Sequence, residues 1–219
     1  MKRRADILAA FGLIAVTATP VLGQADAWQR KWFWGAHGAA IMYESVTGTR
    51  EFAFGGGGHW LITGKNSALY VGFDQYFFPN PSTSLIPDAT IPSGVRVVDF
   101  TQGRRIQAML YAIPMDAAIQ LLLGGGFSIS QVTIAVPQGP FANLAEQSNA
   151  EDIVAERATR AFATFGAGVQ YRLGRISVFA QYNFMPSSST FLLLGSQQTL
   201  NAGFRYRLTS AHEEVTTER

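Results

Sequence analysis

The stretch RAFATFGAGVQYRLGRISVFAQYNF, residues 160–184, decides the fold class of this chain. From Ala161 to Tyr171, every second residue is apolar or aromatic, and the residues between them are mostly Gly, Thr and Gln. After Gly174 and Arg175 the same alternation resumes. A period of two is typical of β-strands, and so short a connection indicates an antiparallel hairpin. The unusual feature is the second face, which carries glycine and amide side chains where a core is expected.

The same period recurs along most of the chain. The pattern predicts eight strands, at 31–45, 50–63, 68–78, 95–113, 118–130, 160–172, 176–184 and 199–208. The inward face of 95–113 is left undetermined. Short connections at 63–67, 114–117 and 173–175 alternate with long ones at 79–94, 131–157 and 186–197, and a short helix is predicted within the acidic stretch 145–156. Tight turns on one side and long loops on the other are typical of a transmembrane β-barrel.

The composition indicates which face of each strand meets the solvent. Apolar residues make up 47% of the chain and charged residues 15%, against about 25% in soluble domains. An apolar face directed at lipid, with a small polar face filling a narrow interior, explains both the glycine content and the scarcity of charge. Because unpaired backbone groups are costly in hydrocarbon, the sheet must close. We therefore predict an all-β fold: a closed antiparallel up-and-down transmembrane β-barrel of about eight strands.

In this pattern the chain resembles the small outer-membrane barrels of the OmpA transmembrane domain and OmpX type. The resemblance covers residues 30–208 and rests on FGAGVQYRLGRISVFAQYNF and the closing TLNAGFRYRL. It implies a place in the outer membrane of a Gram-negative-type envelope, with outer-membrane lipid and the barrel-insertion machinery as partners. Members of that family usually end on an aromatic residue, whereas Leu208 closes the last strand here.

The two ends of the chain are predicted to lie outside the barrel. A basic start, an apolar run from Ile7 to Val16 and small residues after Pro20 predict a signal peptide, residues 1–25, cleaved at 23–25. Its removal leaves 14 of the 17 Lys and Arg and 14 of the 15 Asp and Glu, so no basic surface for nucleic acid is expected. The barrel domain is then 26–208, followed by a polar tail, 209–219. The chain has no cysteine and hence no disulfide.

Aromatic side chains on the outward face are predicted to form two rings at the lipid interfaces. The residues assigned to them are Trp32, Trp34, Trp60, Tyr171, Tyr182, Phe184 and Tyr206.

Polar residues on the inward face are predicted to form a structural network in the lumen, because an isolated buried charge is costly. They are Glu51, His59, Asp74, Gln120, Gln170, Arg172, Gln181, Arg205 and Arg207. Within this set we expect an ion pair between Asp74 and Arg205. His37 and His59 lie on inward faces of adjacent strands and are expected to approach each other.

No catalytic, cofactor or metal residue is predicted. Outer-membrane lipid A deacylases have a similar size, but their His-x-Ser motif is missing from FAQYNF, where Gln181 and Asn183 stand instead. The run GGGG at 55–58 lacks the Lys-Ser/Thr and the helix of a phosphate loop.

Three functions remain open at this stage. The first is a non-enzymatic barrel with a side-chain-filled lumen, acting in envelope structure or through its surface loops. The second is binding or passage of small hydrophobic molecules through an apolar lateral opening, for which TFLLLG at 190–195 is suitable. The third is a soluble lipocalin-like binding barrel with its apolar face inward.

Overall fold

The computed structural model describes residues 28–115 and 117–208, apart from the side chains of residues 80 and 81. The predicted signal peptide and polar tail lie outside these residues. The elements are β1 (Trp32–Glu44), β2 (Arg50–Thr63), β3 (Ser67–Pro87), β4 (Val95–Ala112), β5 (Ile119–Pro137), α1 (Leu144–Arg157), β6 (Thr159–Leu173), β7 (Ile176–Met185) and β8 (Leu194–Leu208). The eight strands form one closed sheet in sequence order, and β8 pairs with β1. Every pair is antiparallel, so the predicted fold class is confirmed.

The strand register makes the barrel narrow and strongly tilted. A row of paired residues that starts at Ala36 reaches β6 at Ala161 when followed through β2 to β5. Followed the other way, through β8 and β7, it reaches β6 at Tyr171, ten residues away (171 − 161). A shear of this size in eight strands corresponds to a tilt of about 40°, and such a barrel has room only for side chains.

Three strands are longer at the loop end than the sequence pattern predicts. β3 continues to Pro87, β5 continues to Pro137, and β8 begins at Leu194. The three loops are therefore shorter than the predicted 79–94, 131–157 and 186–197. The prolines near residue 80 indicated a loop. They are accommodated because the register of β3 against β4 shifts between Phe77 and Ser82, where a missing N–H breaks no regular ladder.

A second irregularity explains why the facing of β4 could not be predicted. The register of β4 against β5 shifts between Phe100 and Gly103. Before the shift the buried residues have even numbers, as at Val98, and after it they have odd numbers, as at Arg105. A bulge inserts one residue and so reverses the parity of every side chain beyond it.

The predicted short helix is present as α1, in the connection between β5 and β6. Asn143 caps it, and the Asn143 side chain accepts a hydrogen bond from the backbone N–H of Glu146. Among the described residues, no helix is long and apolar enough to cross a membrane.

The interior contains two apolar clusters, one at each end. At the loop end, Phe191, Leu192 and Leu193 of the 186–193 connection are buried with residues of the strand extensions and Val154 of α1. At the short-turn end, Trp28 is stacked on Phe33 with ring centroids 4.6 Å apart. Polar side chains lie between the two clusters, and we call this zone the polar belt.

Candidate functional site

Inward glycines create the space that the polar belt occupies. A Cβ added at Gly35 would come within 2.6 Å of the His59 ring, and one added at Gly57 would come within 2.7 Å of the Asp74 carboxylate. The nearest atoms to the two added Cβ positions are backbone carbonyl oxygens, that of Phe204 at 2.4 Å from the Cβ at Gly35 and that of Phe73 at 2.0 Å from the Cβ at Gly57. These inward glycines are therefore required by the close approach of the neighbouring backbone as well as by the polar side chains. This accounts for the glycine-rich inward face of the sequence.

Four side chains of the polar belt, each from a different strand, form a continuous chain of hydrogen bonds across β8, β2, β1 and β3. Arg205 Nε contacts His59 Nε2 at 2.9 Å, His59 Nδ1 contacts His37 Nδ1 at 3.0 Å, and His37 Nε2 contacts Asp74 Oδ1 at 2.6 Å. All four residues are at least nine-tenths buried. The predicted approach of the two histidines is confirmed.

The direction of every hydrogen bond in this chain follows from its ends. An arginine Nε–H can only donate, so His59 Nε2 must carry a lone pair. His59 then holds its proton on Nδ1 and donates it to His37 Nδ1. The remaining proton of His37 is on Nε2, where it is donated to Asp74. Both rings are therefore neutral in this arrangement, and we call the four residues the histidine relay.

The ion pair predicted between Asp74 and Arg205 is not formed. Asp74 Oδ2 instead accepts hydrogen bonds from Arg105, at 2.9 Å from Nε and 2.5 Å from Nη2. Arg105 also donates to Thr199 Oγ1 at 2.9 Å, and Tyr76 donates to Asp74 at 3.2 Å. Asp74 meets Arg105 because their strands are direct neighbours with paired Cα atoms, whereas Arg205 reaches it only through the histidines.

Arg205 is connected to the other side of the barrel by amide side chains. Its Nη1 donates to Gln170 Oε1 at 2.5 Å, and Gln170 Nε2 donates to Gln120 Oε1 at 2.7 Å. The guanidinium also lies 3.8 Å from the ring centroid of Phe179. Gln181 donates to the hydroxyl of Tyr111.

The other predicted lumen residues lie near the barrel ends. Glu51 accepts a hydrogen bond from the Tyr43 hydroxyl at 2.9 Å, towards the loop end. Arg172 donates to the carbonyl of Ala117 at the short-turn end. Arg207 is half-buried at the same end, and its backbone N–H donates to the carbonyl oxygen of Arg175 at 2.8 Å. Glu51, Arg172 and Arg207 thus lie towards the ends of the barrel and are not members of the histidine relay.

Sequence reasoning missed Arg105, which is fully buried and is the closest charged partner of Asp74. The bulge in β4 concealed the signal, because parity could not be carried through it from the start of the strand. Counting inward from the short-turn end, with Tyr111 and Met109 inward, would have placed Arg105 in the lumen.

The seven aromatic residues assigned to the interfaces all lie on the outward face. Trp32, Trp34, Trp60, Tyr182 and Tyr206 are each more than 40% exposed, and Tyr171 and Phe184 are half-buried.

The two histidines of the polar belt have both ring nitrogens in hydrogen bonds. No group of three His, Asp or Glu suitable for a metal occurs among the described residues. The Nε2 of His59 is engaged by Arg205, the Nε2 of His37 is engaged by Asp74, and the two Nδ1 atoms engage each other. The arrangement therefore holds the charges of Asp74 and Arg205 in place.

A second cluster of charges lies at the loop end of the barrel, where the loops meet. Arg96 donates through Nε to Asp88 at 2.5 Å and through Nη2 to Glu146 of α1. Hydrogen bonds from Thr90 and from Arg96 lower the pKa of Asp88 to about 2. The backbone N–H of Ala142, together with Thr90 and Arg96, lowers the pKa of Glu146. We call these residues the loop cluster, since they connect the 88–94 loop with the start of α1.

These features define a class of protein: an eight-stranded up-and-down barrel with an apolar outer wall and a polar, side-chain-lined interior. No protein-family model matches the chain, and neither does any curated protein sequence. Among solved structures the chain is similar to Neisserial surface protein A, NspA, with 14% identity and a TM-score of 0.53 over 81% of this chain and 97% of that one. At this identity the likeness concerns the fold.

Two further solved structures match with lower scores. One is Ail, the attachment invasion locus protein of Yersinia pestis, in complex with the heparin analogue sucrose octasulfate, with 14% identity and a TM-score of 0.45 over 82% of this chain and 99% of that one. The other is the outer membrane protein OprG from Pseudomonas aeruginosa, with 10% identity and a TM-score of 0.49 over 83% of this chain and 97% of that one.

Proposed function

We propose that this protein is an outer-membrane β-barrel with a closed lumen, which acts in envelope structure or through its surface loops and has no enzymatic activity. The observation that carries the proposal is the packing of the interior: an apolar cluster at each end with the polar belt between them.

The outer wall supports insertion in a membrane. Large apolar side chains on this wall are exposed, among them Phe127 at 73%, Phe54 at 67% and Leu110 at 62%. So many exposed large apolar side chains on one surface favour a membrane environment, because monomeric soluble proteins rarely expose contiguous apolar patches larger than a few hundred Å². It argues against the lipocalin-like alternative, in which these side chains would point inward.

The loop end of the lumen supports a closed barrel. The segment that suited an apolar opening in the sequence lies inside: Phe191, Leu192 and Leu193 are 2%, 1% and 4% exposed. The Ser84 hydroxyl donates to the carbonyl of Leu192 at 2.5 Å, and the backbone N–H of Leu192 donates to the carbonyl oxygen of Arg157 at 3.1 Å. These contacts hold the segment across the mouth of the barrel.

Ion conductance tests the closed lumen. Purified protein in a planar bilayer should show no discrete conductance steps, because water cannot form a continuous column through the two apolar clusters. Removing the mouth segment, by replacing residues 187–193 with a short Gly-Ser linker, opens only one end and should leave the bilayer silent. Stable channels from the unmodified protein would contradict the proposal.

Fractionation tests the location independently. The protein should be recovered with the outer membrane and should migrate differently on gels with and without heating. Recovery as a freely soluble periplasmic protein would exclude this function. Hydrolysis of lipid A or of ester substrates by the purified barrel would contradict the non-enzymatic part alone.

A further inference from the structure

A row of polar side chains interrupts the apolar outer wall on three neighbouring strands. Gln75 of β3 has Arg104 of β4 as its Cα partner, and Arg104 is in turn the partner of Gln131 of β5. We call these three residues the outer polar row. The paired row nearer the short turns consists of exposed apolar side chains: Phe73, Ile106 and Ile129.

The outer polar row lies where the apolar band of a barrel ends. On β5 the outward residues from Ile119 to Ile129 are apolar or glycine, and Gln131 follows 12 residues after Ile119 (131 − 119). At about 3.3 Å per residue and a tilt of about 40°, this is about 30 Å along the barrel axis, against an apolar band of about 25 Å. The row is therefore at headgroup level, on the side of the long loops.

Arg104 brings a positive charge to this level without a matching carboxylate. Its Nε donates to Gln75 Oε1 at 2.9 Å, and the amide of Gln75 is itself held by a hydrogen bond to the carbonyl of Tyr76 at 3.3 Å. Among the described residues, no carboxylate is within ion-pair distance of Arg104, and neither of its Nη atoms has a hydrogen-bond partner.

We propose that the outer polar row binds the phosphate of a phosphorylated, multiply acylated glycolipid in the outer leaflet. The inference rests on the proposed function, because the longer loops of an outer-membrane barrel lie on the extracellular side, next to the outer leaflet. A guanidinium with two unoccupied Nη groups matches two oxygens of one phosphate, and the Gln131 amide, next in the row, can donate to a third acceptor.

The surface below the row fits the acyl part of the same ligand. Phe73, Ile106, Phe127 and Ile129 are 44%, 54%, 73% and 50% exposed and cover three adjacent strands. This platform is wider than one strand pair, as several acyl chains attached to one headgroup require. Charge complementarity and the apolar platform thus select the same amphipathic occupant.

Lipid binding by wild-type and R104Q barrels tests the proposal. Each protein is placed in phosphatidylcholine nanodiscs that contain lipid A, its fully dephosphorylated form, or phosphatidylglycerol, and bound lipid is counted by native mass spectrometry. The wild type should prefer lipid A over both other lipids. R104Q should bind lipid A roughly tenfold more weakly, as expected for the loss of a charge-assisted contact, and should bind the dephosphorylated form as the wild type does.

R50Q is the matched control, because it removes an exposed arginine from the same face near the loop end, and it should leave lipid A binding unchanged. Equal wild-type binding of phosphorylated and dephosphorylated lipid A would overturn the proposal. Equal binding of phosphatidylglycerol, or an equal loss in R50Q, would do so too. If R104Q is recovered in the outer membrane and shows heat-modifiable migration, any of these outcomes overturns the lipid-binding proposal and leaves the proposed function standing.

Discussion

Asp74 and Arg205 are joined inside the barrel through the rings of His37 and His59, which transmit three hydrogen bonds in a single direction. The arrangement puts an acceptor opposite a guanidinium and a donor opposite a carboxylate without a direct contact between the two charges. Arg105 completes the charge balance of Asp74 from the neighbouring strand. The histidine relay therefore stabilises a cross-barrel connection that the strand spacing does not allow the two ions to make alone.

Interrupting the relay should destabilise the barrel. H59L leaves the Nε of Arg205 and the Nδ1 of His37 without partners in a buried site, which should lower the free energy of unfolding by about 1–3 kcal/mol. Urea unfolding of the barrel in lipid vesicles, followed by tryptophan fluorescence, measures the change. A36V, on the neighbouring outward face, should stay within about 0.5 kcal/mol of the wild type. Equal stability of H59L and the wild type would contradict the relay.

Removing one member of the Asp74–Arg105 pair should cost more than removing both. D74N leaves the fully buried Arg105 uncompensated and should lower the free energy of unfolding by about 3–5 kcal/mol. D74N/R105M, which removes both charges, should be less destabilised than D74N. Together with the wild type and the single variant R105M, these two variants form a double-mutant cycle in the same urea assay. Additive effects would mean that the two side chains do not stabilise each other.

Acid should release the loop cluster. The pKa of Asp88 is about 2, because Thr90 and Arg96 donate hydrogen bonds to its carboxylate, whereas its unfolded value is about 3.9. A lowered folded pKa means that this contribution to stability is complete above about pH 4 and is lost as the pH falls towards 2. The amide proton of Thr90, which donates to Asp88 at 2.9 Å, should report the change by NMR. D88N should show no transition in that window.

Spin labels should distinguish the two sides of the barrel wall. Labels on V169C and F204C, at outward positions 45% and 49% exposed, should be accessible to oxygen dissolved in hydrocarbon and shielded from water-soluble nickel reagents. A label on S93C, in the exposed 88–94 loop, should show the opposite preference. Nickel accessibility at Val169 and Phe204 equal to that at Ser93 would mean that the apolar wall does not face lipid.

Local alternation by itself determined the strand count and the outward face of most strands, and the cost of unpaired backbone groups in hydrocarbon then required the sheet to close. The period of two acts on neighbouring residues, so it can be read wherever a strand is regular, as in residues 160–184. It failed where a strand is irregular. The bulge near Phe100 concealed the inward position of Arg105, and the prolines after Phe77 concealed the extension of β3.

The tertiary structure alone decided which polar groups meet across the lumen. The sequence predicts that Asp74 is a buried, paired carboxylate, but the identity of its partner depends on how far each strand is shifted against the next. A shear of ten residues brings His37 and His59 between Asp74 and Arg205, and puts Arg105 directly beside Asp74. The shear of a closed barrel is the total of the register shifts of all its strand pairs, so it cannot be read from any single segment of the sequence.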